Sequence, residues 1–413
     1  ILSSWSSSPD SFPCNRSWVG IACNNGYTDD SYRRGGRVTS VDLRESNLTG
    51  TISPYLFNLT FLTYLNLSMN GFVGPIPPHL DRLSSLTHLD LKENLLSGPI
   101  PSAIGNCTSL IWLDISTNID VSGSVPPSLG HLTALQTLQL HNLPNLTGSI
   151  PPELGNLTSL KYMYLDQNSL IGTIPPEIGN LDKLIVLHLK LNKLSGSIPP
   201  ELSRLRSLEA LYLSSNSIQG HIPPELGNLT NLEHMWCSKS ILQGPIPAEL
   251  GKLVNLKELY ISYNGLSGPI PSTLGMLKNL QELSIAKNHL NGTLPKEIGN
   301  LTKLHYLYGS VNHLSGGLPR ELGELRSLQK LELYSNQFFG EIPAEISKLR
   351  NLSAFIVFRN FLSGNIPSEV GNLSALTQLV VGNNMLTGFL PSELGNLENL
   401  LYLGVRENML NGP

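Results

Sequence analysis

Long apolar runs are missing from this chain: no stretch approaches the roughly 18 residues that a membrane-spanning helix needs, so the segment itself makes no membrane contact. Charge is sparse, with 14% charged residues and a balance of -4 over 413 residues. So few cations cannot drive nucleic-acid binding by counterion release. The dense basic run, Arg33, Arg34 and Arg37, reads as a solvated loop. Cysteine is scarce too, four in all, which excludes a disulfide-dense scaffold.

Catalytic signatures are equally scarce. The sequence contains no GxG, GxxxxGK[ST], HExxH, CxxC or GxSxG, so dinucleotide fingers, phosphate loops, zinc-protease helices and nucleophile elbows are excluded. The ten His are scattered, and the acids of the recurring "PPELG" (Glu153, Glu177, Glu201, Glu225) repeat with the consensus on an outward-facing phase. A hydrolytic carboxylate pair about 5 to 9.5 Å apart across a cleft has no place in such a pattern. The sequence therefore predicts no catalytic residue, metal or cofactor.

What is present is repetition. The 37 Gly and 29 Pro are spread along the chain within one recurring sentence, as in "NLTGSIPPELGNLTSL" from Asn145 to Leu160. Counted from the Leu that opens "LxxLxLxxN", repeats start at Val38, Leu62, Leu86, Leu110, Leu135 and Leu160, then every 24 residues from Leu184 to Leu400. That makes fifteen full repeats and a sixteenth cut short at Pro413. A solenoid grows without a new core, so the length predicts one elongated domain, residues 38–413, behind an amino-terminal cap, residues 1–37. The absence of an initial Met and the stop in mid-repeat leave room for targeting or anchoring segments beyond the sequence.

Each phase of the repeat has a physical reading. In "LKYMYLDQN", Leu160, Met163 and Leu165 alternate with polar or aromatic neighbours, the period of a short strand buried on one face. Strands of successive repeats then pair in parallel. Asn168 and its equivalents Asn70, Asn94, Asn192, Asn216, Asn264 and Asn288 form a buried amide ladder that satisfies backbone groups of its own and the next coil. The "LxGxIP" segment turns the chain, and "PELGNL" returns as a short helix or turn. No repeat buries its Leu set alone, so each stacks on its neighbours into a curved α/β solenoid with a parallel sheet on the concave side.

This pattern, with its many copies of "LxGxIPxxLGNL" from Val38 to Pro413, resembles the plant-type leucine-rich repeat. It is most similar to the extracellular domains of plant leucine-rich-repeat receptor-like kinases. The resemblance implies a right-handed superhelix of 24-residue repeats, with short helices or turns on the convex face. Before the repeats, "LSSWSSSPDSFPCNRSWVGIAC" resembles that family's cap, with Trp5, Cys14, Trp18 and Cys23 in order. A Cys14–Cys23 bridge would seal the first sheet edge. Cys107 and Cys237 stand in Leu positions six coils apart and read as small buried hydrophobes. Asn-x-Ser/Thr sequons at Asn15, Asn47, Asn58, Asn66, Asn106, Asn145, Asn156, Asn228, Asn291, Asn300, Asn351 and Asn372 favour the secretory route, an extracellular or cell-surface location and a glycosylated outer surface.

The repeats differ at the strand positions that point out of the concave face. One column reads Asp42, Asn66, Asp90, Asp114, Gln139, Tyr164, His188, Tyr212, Trp236, Tyr260, Ser284, Tyr308, Glu332, Ile356, Val380 and Gly404. Tyr164 to Tyr260 would form an aromatic strip about 19 Å long at the ordinary strand spacing. Neighbouring columns add Tyr162, His234, Tyr263, Tyr306, Tyr334 and Phe358. Such a strip suits an extended peptide or a sugar chain stacking on ring faces. The competing reading is that the rings merely support one another across strands. Their confinement to one part of a uniform repeat favours binding, and a glycan on Asn66 would obstruct the amino-terminal part of the face.

Ser240 breaks the Asn ladder and Cys237 the Leu pattern inside the strip. Arg359, Arg406 and Glu407 are charged residues placed to fix a ligand's end. Receptors of the resembled family carry an Arg-x-Arg pair near here, but this chain has Gly404, Val405 and Arg406, so that role is not carried over. The sequence thus predicts an extracellular recognition module binding a peptide or glycan, and the family resemblance implies a co-receptor docking near the carboxy-terminal repeats. The alternatives are a secreted inhibitor of wall-degrading enzymes and a head-to-tail, filament-forming solenoid.

Overall fold

A computed structural model describes residues 19–24 and 37–412. Trp5, Cys14, Asn15 and Trp18 lie outside that range, and the expected Cys14–Cys23 bridge with them. The chain divides into two compact units, residues 1–195 and 196–413, each an α/β solenoid of stacked coils.

Within the first unit, the Leu-x-Leu alternation yields short parallel strands: Val38–Asp42, Tyr64–Asn66, His88–Asp90, Trp112–Asp114, Thr137–Gln139, Tyr162–Tyr164 and Val186–His188. Their register is in phase, Leu65 against Leu89 and Leu89 against Leu113, so every sequence column becomes a row across the sheet. The inward Leu of each strand is fully buried, at a gain of about 1.5–3 kcal/mol per side chain. An antiparallel strand, Ile21–Cys23, pairs with Val38–Asp42 and covers the first edge. The second unit repeats the arrangement from Ala210–Tyr212 to Tyr402–Gly404.

The Asn ladder forms as its chemistry requires. Asn94 Nδ2 donates to Leu67 O of the preceding coil at 3.0 Å and to Leu91 O of its own at 3.1 Å, while its Oδ1 accepts the Phe72 N–H at 3.1 Å. A buried amide that closes three backbone groups locks coil to coil.

The structure adds a second sheet that the sequence reading had only as a turn. The Leu-x-Gly segments pair in parallel as five strands in the first unit, from Thr49–Thr51 to Asn145–Thr147, and as eight in the second, from Gln219–Gly220 to Met385–Leu386. Its glycines make this possible: Gly98 at φ 75° and Gly268 at φ 78° sit in the left-handed region that side chains avoid.

The return segment is a 3-10 turn in every coil, for example Pro152–Asn156. Pro at its first position lacks an N–H that would have no partner there, and the Leu157 N–H closes the turn on Leu154 O. The Gly of "LGN" is a packing requirement: a Cβ on Gly155 would lie 2.4 Å from Glu177 O of the next coil. Cys107 and Cys237 are buried free thiols, as the sequence predicts, and Cys107 Sγ lies 3.2 Å from Leu80 O. Burial pushes the Cys107 thiol up to about 11 and Cys237 up to about 12, so neither is a ready nucleophile.

Candidate ligand-binding face

The first-sheet face of the first unit is polar at its amino-terminal end. Asp114 Oδ1 accepts the Ser116 N–H at 2.9 Å and its hydroxyl at 2.5 Å. Burial nonetheless holds the Asp90 and Asp114 carboxyls above their usual range. Asn66 corrects the sequence reading. It is 5% exposed, its Oδ1 accepts from Ser68 N (3.0 Å) and Ser68 Oγ (2.7 Å), and its Nδ2 faces Tyr64 Oη at 3.3 Å. A glycan has no room there, so the expected glycan obstruction falls away. The other described sequons, Asn47, Asn58, Asn106, Asn145, Asn156, Asn228, Asn291, Asn300, Asn351 and Asn372, are exposed.

Further along that unit the rings begin. Tyr164 stands edge-on between His141 and His188, at 6.2 Å and 5.9 Å between centroids, and Tyr162 shares its strand. His188 Nδ1 lies 3.0 Å from Asp166 Oδ1, and Gln167 Nε2 donates to Asp166 Oδ2 at 3.1 Å. Burial raises the Asp166 carboxyl, but the His188 contact and the Gln167 bond outweigh it and hold it below the usual range.

The second unit carries its own ring series. Tyr212, Trp236 and Tyr260 occupy adjacent strands, with centroids 4.9 Å and 5.2 Å apart and planes turned by 71° and 85°. Edge-to-face pairs of this kind add about 0.5–1.5 kcal/mol beyond burial. Acids of the next coil hold the ring tips. Glu258 Oε2 accepts from Trp236 Nε1 at 2.8 Å and lies 2.9 Å from His234 Nδ1, while Tyr260 Oη donates to Glu282 Oε2. Beside them Lys257 Nζ meets Glu233 Oε2 at 2.5 Å, and Lys287 sits 4.3 Å over the Tyr263 ring. Burial, then Glu282, push the Tyr260 phenol well up.

Two stacked pairs follow. Tyr306 and Tyr308 lie 6.0 Å apart at 9°, with Tyr306 Oη donating to Gln329 Oε1 at 3.2 Å, and Tyr334 and Phe358 lie 4.6 Å apart at 7°. Burial, then Glu332 and Glu282, push the Tyr308 phenol up to about 12, so it stays a donor at any ordinary pH. Beyond them a groove of about 690 Å³ has an apolar floor of Ile356, Val380 and Gly404, with Phe358 and Tyr402 as walls and Arg359 and Arg406 at the rim. Glu407 lies 3.9 Å from Arg406.

Of the predicted strip residues, Tyr162, Tyr164 and His188 belong to the first unit and the remaining ones to the second. Sequence reasoning missed Glu258 and Glu282, because in the neighbouring columns it read only rings. The signal was an acid two positions earlier in the next repeat, which lands diagonally beside the ring once the strands are in register. On the second sheet of the same unit it also missed an exposed apolar ridge, where Phe339 is the register partner of Phe361 and Met385 that of Ser363. Among the described residues no group of three or more His, Cys, Asp or Glu is placed to hold a metal ion.

The family described as leucine-rich repeat region matches residues 37–166, 145–293 and 249–353. A leucine-rich-repeat receptor-like serine/threonine-protein kinase of Arabidopsis thaliana is 46% identical over 69 residues, 17% of this chain and 5% of that protein, so the match spans a small part of the relative's length. Among solved structures, the plant peptide hormone receptor RGFR1 in complex with RGF2 is 34% identical, with a TM-score of 0.82 over 96% of this chain and 72% of that one. The Arabidopsis receptor kinase HAESA, in complex with the peptide hormone IDA and the co-receptor SERK1, is 31% identical, with a TM-score of 0.63 over 99% of this chain and 79% of that one.

Proposed function

The chain belongs to the leucine-rich-repeat family, and on that premise we propose that it is the non-enzymatic ligand-binding ectodomain of a plant cell-surface receptor, taking an extended peptide on its first-sheet face. The observation that carries this is the Tyr212–Trp236–Tyr260 series. The polar tips of Trp236 and Tyr260 are held by Glu258 and Glu282, so what meets a ligand there is rigid ring surface that costs little entropy to use. Planes turned by 71° and 85° offer alternate faces and edges, which suit successive side chains of a strand-like peptide. A sugar chain stacks on rings that present their faces together, so the arrangement disfavours the glycan reading. The solved receptors RGFR1 and HAESA hold peptide hormones.

The remaining predicted site residues take their places in the same proposal. Tyr162, Tyr164 and His188 form the ring surface of the first unit, and Tyr306, Tyr308, Tyr334 and Phe358 extend that of the second. Arg359 and Arg406 offer charge to an acidic group seated over Ile356 and Val380. The ridge of Phe339, Phe361, Met385 and the 68%-exposed Phe389 is the surface on which a co-receptor would dock, since apolar side chains in register on an open sheet gain by being covered. Extracellular location, glycans on the exposed sequons and the Cys14–Cys23 bridge belong to the same reading.

The test uses the chain secreted from plant or insect cells, its glycans and disulfide mapped by mass spectrometry, and titrated with panels of short peptides and of wall oligosaccharides. Peptides should bind, and Tyr212→Ala with Trp236→Ala should weaken them by about tenfold or more, as loss of a central aromatic anchor does. Oligosaccharide binding alone, or peptide affinity indifferent to both substitutions, would sink the proposal.

A further inference from the structure

One carboxylate on the second unit's ring face is treated differently from its neighbours. Glu258 is tied to Trp236 and His234, and Glu282 to Tyr260. The carboxylate of Glu332 has neither a hydrogen bond nor an ion pair with any described residue, although it is half-buried. Strand register sets it beside Tyr308 on one side and Ile356 on the other. Tyr334 follows two residues along, past the fully buried Leu333, on the same half-buried side of the chain. Both rings are fixed, Tyr308 by stacking on Tyr306 and Tyr334 by stacking on Phe358. The nearest cation, Lys330, is exposed and acts only through space.

A half-desolvated carboxylate without a counter-charge is unfavourable, and burial accordingly holds the Glu332 carboxyl above its usual range. An unpaired carboxylate with fixed aromatic surface beside it attracts a cation and repels an anion. An apolar side chain would leave the charge buried further and still unpaired. We infer that Glu332, with Tyr308 beside it, is the recognition point for a cationic side chain of the bound peptide, a lysine ammonium or an arginine guanidinium. This rests on the peptide-binding reading above and adds to it the chemistry of one ligand position.

The experiment selects short random peptides, displayed on phage, against the folded chain, and titrates resynthesised winners against wild type, Glu332→Gln and the Tyr212→Ala, Trp236→Ala double variant. Glutamine keeps the shape and removes the charge. Winners should share a Lys or Arg at one position. Glu332→Gln should weaken them about tenfold, and replacing that basic residue by norleucine should cost wild type the same factor and Glu332→Gln nothing further. Winners that depend on Tyr212 and Trp236 yet lack a shared basic residue, or ignore Glu332→Gln, overturn this inference and leave the peptide-binding reading standing. Winners indifferent to all three substitutions overturn both.

Discussion

Ser240 stands where the ladder of its unit needs an amide. One coil on, Asn264 Oδ1 accepts the Leu242 N–H at 3.1 Å, and its Nδ2 donates to Cys237 O at 2.9 Å and Ile261 O at 3.1 Å. The shorter serine reaches no such partner, and its Oγ is buried without one. Ser240→Asn should restore the rung and raise stability by about 1 kcal/mol, the net worth of a recovered buried hydrogen bond. The urea midpoint measures it, and an unchanged or lower midpoint would mean the serine site is already satisfied. The gap falls in the coil that supplies His234 and Trp236, as expected where a sequence departs from its structural consensus at a working surface.

At the scale of the element, the 3-10 turns decide how closely coils stack. On Gly251 a Cβ would lie 2.5 Å from Thr273 O of the next turn, a distance no relaxed contact shows, and the obstructing atom is backbone. Gly251→Ala must therefore push two coils apart and should cost about 1–3 kcal/mol, the usual range for overpacking. Gly340, where an added Cβ meets nothing within 4 Å, separates packing from conformation, since its φ of 80° leaves only backbone strain. Gly251 has no left-handed φ, so a negligible loss for Gly251→Ala in urea unfolding would show that the coil contact does not constrain it. The strands carry the complementary lesson. Each contributes only about three residues, so the strand positions confer chemistry while the ladder, the second sheet and the turns hold the stack.

The whole molecule has an acid-side signature. Burial raises the carboxyls of Asp90, Asp114 and Glu332, so each costs stability when ionised, and the cost is relieved as pH falls through its folded value. Asp166 runs the other way. Burial raises it, but His188 and Gln167 lower it further, so its contribution is full above the ordinary value of 3.8 and is lost as pH falls through the depressed folded value. Urea midpoints should hold or rise from neutral pH to about pH 5 and decline only below about pH 4. A steady fall from neutrality would show that other groups dominate.

Much of this was legible in the sequence because a repeat states its physics many times over. The Leu alternation, the Asn ladder and the 24-residue period specify coil, strand and parallel stacking, since no other arrangement buries each Leu set and satisfies each amide at once. The ring column was legible for the same reason: against a fixed consensus, variation stands out. Tertiary structure alone decided what lies between coils. Whether Trp236 is free or held by Glu258 and whether Glu332 has a partner depend on residues about 22 to 24 positions apart, brought side by side by register. Periodicity fixes where each side chain emerges, but only the packed neighbours determine which charges are paired and which are left for a ligand.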